Sequence, residues 1–503
     1  MQRRRFIYNI SAAAVAGSTR IEKGLYEPFP LYRQDVRTAD ILPLKVKPVL
    51  IYNLFEKVEA ETWREWGGLK TQADVDNEME RIQKEIKMYL LKTDLPVEIL
   101  PLDKINSDES AQKAAETSCD VLLIYAAGSA GDTVYGKNRM NTLVNSGKSI
   151  VMFLRHKSGP IYLWYEIVHP KLLRSGGSDV PDNENLKVED IVIDSYEEIL
   201  VRFRALYGLK STARTKLVAI NGLGSWGVGR EVVEPVVYKT WKMEVIPVSS
   251  DVLSTRLVKR RNNTKMVEKA TKDMEHYLSQ SGIVALHTNR KFVLNSFLLK
   301  DEFKDLIAEN NAHGITVNGC MSFGKVAETT PCLPFSLIND EGLMAFCESD
   351  FVVIPSGVLL RYISGKPVFL NDPTFPHDGI TTCAHCSSPR RMNGRDLEPA
   401  DILTHCESDY GAAPKVFFRK DQIITNIVPD YRSIKWVGFK GKIIDHPSYD
   451  ICRSQFDCTI EGDWKKLITE MGGFHWMTCY GDYLKEVSYA CSKIKIRFEN
   501  ISA

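Results

Sequence analysis

A rhythm of short apolar runs separated by amphipathic segments constrains this chain more than any other feature. It occurs twice. The first series is VKPVLIY (Val46–Tyr52), PVEILPL (Pro96–Leu102), DVLLIYA (Asp120–Ala126) and SIVMFLR (Ser149–Arg155). Between the first two runs, ADVDNEMERIQKEIKMYLL repeats its apolar residues at helical spacing. The second series is TKLVAING (Thr215–Gly222), MEVIPVSS (Met243–Ser250), SGIVALHT (Ser281–Thr288), GITVNGC (Gly314–Cys320) and DFVVIPS (Asp350–Ser356). Continuous apolar strands alternating with amphipathic helices predict parallel sheets covered on both faces. After about Leu360 the texture changes to PVFLND, KVFFRKDQIITNIV, SIKWVGFKGKIID and KIKIRFEN, which predicts an antiparallel barrel or sandwich. The expected class is therefore α/β: two tandem doubly wound domains (41–213 and 214–360), then a mostly antiparallel β-rich domain (361–503).

With 503 residues, 44% apolar and 26% charged, the chain can bury a sizeable core. A net charge of +1 and a single short basic run, KRRNNTK (Lys259–Lys265), give no electrostatic footprint for nucleic acid. No apolar run is long enough to span a bilayer, so no membrane contact is expected once a leader is removed. Residues 1–40 read as that leader. Arg3-Arg4-Arg5-Phe6-Ile7 precedes a mildly apolar stretch ending in Ala14-Val15-Ala16, which is similar to a twin-arginine export signal with its cleavage site. The expectation is an exported or periplasmic protein; a basic N-terminus that is no signal would leave it cytoplasmic. Ten of the eleven cysteines follow Gly319 without regular spacing, which fits free, buried thiols better than a disulfide framework.

Two motifs compete for the chemistry. The strand KLVAI runs into NGLGSWGVG, whose Gly222, Gly224 and Gly227 fit the dinucleotide fingerprint in letter and context. Asp251 is a late candidate for the ribose acid, and Trp226 places a bulky ring where a pyrophosphate needs close backbone approach. The second motif is CESD, which occurs at Cys347–Asp350 and again at Cys406–Asp409. Glu348 and Asp350 border an apolar run, Asp372 ends another, and His377, Asp378, His385 and His475 follow. Carboxylates beside buried surface need a partner or a cation. Carboxylate oxygens with a neutral imidazole suit a divalent ion of the manganese type, with iron or cobalt as alternatives. Cys383-Ala-His-Cys386 with His405 and Cys406 offers a weaker zinc alternative, because no second pair has fitting spacing.

The stretches TPCLPFSLINDEGLMAFCESD (Thr330–Asp350), GKPVFLND (Gly365–Asp372), Ala384–Cys386, HCES (His405–Ser408) and GGFH (Gly472–His475) resemble the L-fucose isomerase and L-arabinose isomerase superfamily. That resemblance implies a metal-dependent aldose–ketose isomerase with a cis-enediolate intermediate. It places the metal, expected to be Mn2+, on Glu348, Asp372 and His475, and the proton transfer on Glu348 and Asp372. The second CESD falls on a supporting segment of the family, so its shared letters are coincidental. His385 matches either a metal ligand of the arabinose branch or a substrate contact. Arg64 and Trp66 are candidate substrate-binding residues lent by a neighbouring subunit of a homo-oligomer. An epimerase or lyase of the same fold, a nicotinamide-dependent oxidoreductase on the glycine loop, and a sugar-binding module with a relic site remain as other readings.

Overall fold

The computed structural model describes residues 42–503 except 55–57, 61–67, 129–137, 163–172, 174–183 and 281. Residues 1–40, expected to be a leader, and Arg64 and Trp66 lie outside the described residues. The first sheet contains β1 (Leu44–Ile51), β2 (Val97–Ile99), β3 (Asp103–Ile105), β4 (Val121–Ala126), β5 (Ser149–Leu154) and β6 (Ile191–Ile193). All are parallel, in the order β2-β1-β4-β5-β6, and β3 also pairs with β1. The expected run Pro96–Leu102 is broken: β2 and β3 lie on successive halves of β1, with Pro101, which has no amide proton to donate, in the gap.

The helix Gln72–Glu85 falls on the segment whose apolar residues recur at helical spacing. Thr71 caps it by accepting from the Asp74 amide at 3.2 Å, while the Asp74 carboxylate takes the Thr71 amide at 2.9 Å. This helix buries Glu78, a costly position that Arg155 at the end of β5 makes tolerable through a 2.6 Å ion pair.

The second sheet has the parallel order β11-β10-β7-β8, from β7 (Lys216–Ile220), β8 (Glu244–Val248), β10 (Gly314–Val317) and β11 (Met344–Phe346). Two expectations fail here. The run Ile283–Leu286 does form a strand, β9, but it joins β14 (Ala400–Leu403) and β15 (Ala413–Val416) in a separate three-stranded sheet. Its Val284 is 65% exposed, whereas a strand inside a parallel sheet is covered on both faces. The run Asp350–Ser356 is not a strand: it turns and enters the helix Ile354–Ser364, every residue of which is buried. A continuous apolar run carries no periodicity, so a buried helix and a buried strand read alike.

The C-terminal part is an antiparallel barrel. Around it run β16 (Ile423–Pro429), β19 (Trp476–Tyr480), β12 (Phe369–Pro373), β13 (Ile380–His385), β18 (Ser454–Thr459) and β17 (Lys435–Asp445). Pairing of β16 with β17 closes the six-strand ring, and β20 (Arg497–Asn500) adds to β17 in parallel outside it. The neighbours β19, β12 and β13 bring Asp372, His385 and His475 to one region of the barrel.

The helix Tyr196–Thr212 packs against the helix Ile354–Ser364 at Gly208, where an added Cβ would stand 2.8 Å from Ile363 Cγ1 and 3.1 Å from Leu359 Cδ1. That helix pair joins the first sheet's cover to the segment following the first CESD. Gly208→Val should lower stability by about 1–3 kcal/mol through overpacking, read as a shift in the midpoint of denaturant unfolding.

Candidate metal centre

The site starts with backbone strain. Glu348 and Ser349 both adopt left-handed conformations, at φ +61° and +52°. Non-glycine residues there cost about 1–3 kcal/mol each and persist only where the surroundings hold them. The glycine loop does the holding. The Gly224 amide donates to the Ser349 carbonyl at 3.2 Å, the Phe351 amide to the Gly224 carbonyl at 3.2 Å, and the Ser349 hydroxyl to the Gly222 carbonyl at 3.0 Å. The turn so fixed points the Glu348 carboxylate away from β11 toward the barrel strands.

Opposite it stand two imidazoles with one nitrogen each already engaged. His475 Nδ1 bonds Asp350 Oδ2 at 2.7 Å, with both side chains 1% exposed. An ionised carboxylate only accepts, so Nδ1 carries the proton and Nε2 faces the site. His385 Nδ1 lies 3.1 Å from the Ser387 hydroxyl, and its buried Nε2 has no hydrogen-bond partner. His475 Nε2 is 3.5 Å from Glu348 Oε2 and 3.0 Å from Asp372 Oδ1. His385 Nε2 is 3.6 Å from Glu348 Oε1 and 4.0 Å from Asp372 Oδ2. One ligand atom from each of Glu348, His385 and His475 lies within 4.8 Å of the other two. Asp372 Oδ1 is buried and makes no hydrogen bond of good geometry, although His475 stands beside it.

The electrostatics follow from this crowding. Burial pushes the Glu348 carboxyl up, but His385, His475 and the Trp226 N–H outweigh it and hold the group at about 2. Burial pulls His385 down, yet Glu348 and Asp372 raise it to about 9. His475 is likewise pulled down by burial and raised to about 10 by Asp350 and Asp372. Two imidazolium ions among carboxylates occupy the place that one dication would take. Orphaned Nε2 and Oδ1 atoms aimed at a common point, with both Nδ1 atoms engaged outside it, fit a divalent cation on nitrogen and oxygen donors.

Neither a scan against protein-family models nor a search of the curated proteins finds a match. The geometry therefore carries the assignment. It brings together Glu348, Asp372, His385 and His475, and so places His385 among the possible ligands. It leaves out His377 and Asp378, which are exposed, and Asp251, exposed in the first turn of the helix Ser250–Arg261. The second CESD is a closed turn with Glu407 and Asp409 exposed and the His405 imidazole bound to Ser408 at 3.0 Å. The Cys383-x-x-Cys386 pair does not converge: Cys383 packs inside the barrel and Cys386 beside Cys332. All eleven cysteines are free thiols.

Asp350 was read from the sequence only as a carboxylate at an apolar border that needs a partner or a cation, and Trp226 and Ser387 were not read from it as site residues. Asp350 orients His475, and Ser387 contacts His385. Trp226 donates its indole N–H to Glu348 Oε2 and its backbone amide to Asp350 Oδ1 at 3.1 Å. The spacing of Asp350 two residues after Glu348 was the available signal for the first; nothing in the letters around Trp226 or Ser387 reveals their roles.

Binding a cation requires each Nε2 to lose its proton. Both groups titrate above the ordinary histidine range of about 6.5, so apparent affinity for Mn2+ should climb as pH rises from there toward 9. Calorimetry in two buffers of different ionisation enthalpy should show up to one proton released from each imidazole; pH-independent affinity would contradict the ligand set. Trp226→Phe, which keeps a ring but removes the donor to Glu348, should weaken Mn2+ binding about 10–100-fold in the same titration.

Proposed function

We propose that this protein is a divalent-metal-dependent enzyme of the aldose–ketose isomerase type, with an L-fucose isomerase-like fold, acting on a monosaccharide. The observation that carries the proposal is the convergence of Glu348, Asp372, His385 and His475, from the second sheet's edge and three neighbouring barrel positions, on one point. A bound Mn2+-class ion would supply Lewis-acid polarisation of the sugar carbonyl. The remaining chemistry belongs to the chain. Asp372, with a side chain 32% exposed and an unbonded Oδ1, is the carboxylate best placed to take a proton from the carbon next to the carbonyl. Returning that proton to the neighbouring carbon, while the hydroxyl proton passes from one oxygen of the enediolate to the other, completes the isomerisation with no outside oxidant or reductant. Glu348, fixed by Trp226 and the imidazoles, stays ionised and faces the same substrate carbons. Trp226 and Phe474 stack at 5.3 Å and are 48% and 47% exposed, an apolar surface suited to the C–H face of a sugar.

The glycine loop favours this reading over a nicotinamide enzyme. Its amides at Gly222, Gly224 and Trp226 donate to Ala219, Ser349 and Asp350, so they are not directed at a pyrophosphate. Export through the N-terminal signal, and a homo-oligomer in which Arg64 and Trp66 reach a neighbour's site, complete the proposal.

Asp372→Asn should fold normally and lose about 10²–10⁴-fold in turnover. The assay is NMR of a panel of aldoses in D2O, where enediolate chemistry exchanges the proton on the carbon next to the carbonyl. Ketose product supports isomerisation, epimer or unsaturated product moves the enzyme to another enediolate reaction, and undiminished isomerisation by the variant removes Asp372 from the mechanism.

A further inference from the structure

Glu348 belongs to a second group of donors. The sulfur atoms of Cys320 and Cys347 and a Glu348 carboxylate oxygen lie within 4.8 Å of one another. Cys320 opens the helix Cys320–Ala327 just after Gly319, whose φ of +73° turns the chain out of β10. Cys347 is buried at the end of β11 and half-buried Cys320 gives access from solvent. The two parallel neighbours β10 and β11 thus deliver two thiols to the same side of the strained Glu348 turn.

We propose that Cys320, Cys347 and Glu348 form a second cation site, selective for thiophilic dications of the zinc and cadmium class, that shares its carboxylate with the imidazole site. Two thiolates and one carboxylate are a soft donor set, which disfavours manganese and favours zinc or cadmium. Three protein donors leave room for a water in a tetrahedral shell. Binding expels the two thiol protons to solvent and changes no oxidation state. The other thiol cluster, Cys332, Cys386, Cys406 and Cys452, is not equivalent. Among the described residues only the Cys320 and His385 groups bring three ligand atoms within 4.8 Å of one another. The assignment stands on donor geometry alone and does not depend on the isomerase proposal.

The test is titration of the reduced, metal-free full chain with Cd2+, followed by its ultraviolet thiolate-to-cadmium charge-transfer band and by equilibrium dialysis. Cys320→Ser, at a half-buried position, should fold as the parent. It should lose one equivalent of bound cadmium with its band, or bind that equivalent at least about tenfold more weakly, since even an outer-sphere partner costs that much. Cys347→Ser should behave alike. Asp372→Asn, altered only at the imidazole site, should keep the band. Equal cadmium uptake and band intensity in the parent and Cys320→Ser overturns the proposal, as does loss of the band in Asp372→Asn.

Discussion

The bond between His475 Nδ1 and the Asp350 carboxylate, 2.7 Å long and closed to solvent, is the contact on which the rest of the site depends. It ties the turn after β11 to the residue before β19, 125 positions later. It also sets the imidazole's tautomer, so that the outward nitrogen is the one able to bind a cation. Asp350 has a second duty. Its other oxygen accepts from the amides of Trp226 and Val352 at 3.1 and 3.0 Å, which anchors the glycine loop to the same turn. One carboxylate thereby holds three segments in register: the loop after β7, the turn after β11 and the entry to β19.

The left-handed pair Glu348–Ser349 makes sense in that light. A relaxed turn would let the chain pass from β11 into the helix Ile354–Ser364 with its acidic side chain free to swing into water. Three backbone and hydroxyl bonds to the glycine loop hold the strained form instead, so the carboxylate does not have to be ordered when a cation arrives. A Cβ at Gly224 would press on the Asn318 side chain at 3.1 Å, so the loop after β10 also favours glycine there. A motif that fits a nucleotide fingerprint in letters is here a brace for a carboxylate.

That brace shows which information the sequence carries and which it hides. The parallel sheets were legible because covered strands between amphipathic helices have a periodic signature, and β1, β4, β5, β7, β8 and β10 all coincide with quoted runs. The destination of Ile283–Leu286 was not legible, because sheet membership is decided by pairing with β14, over a hundred residues away. The same limit applies to the site. Glu348, Asp372 and His475 could be singled out as carboxylates at apolar borders and a late histidine by resemblance. His385 could not be assigned between ligand and substrate contact, since the difference lies in where Nε2 points and whether anything satisfies it. The two copies of CESD make the case sharpest: the letters are identical, and only the exposure of Glu407 against the enclosure of Glu348 separates them.

Proton linkage explains why such a cluster is tolerated without a cation and why it would accept one. His385 and His475 have folded-state values above the ordinary histidine value, so their contribution to stability is complete below about 6.5 and is lost as pH climbs through 9 and 10. Glu348 has a depressed value, so its contribution is present above about 4.3 and is lost as pH falls toward 2. Between those limits the imidazolium protons hold the carboxylates together. Above them the protons leave and the carboxylates repel one another across a buried space. A dication on the same nitrogens and oxygens would restore the balance there. Protons and a dication would therefore be alternative occupants of one electrostatic position, and the higher the pH, the more the fold itself would favour the dication.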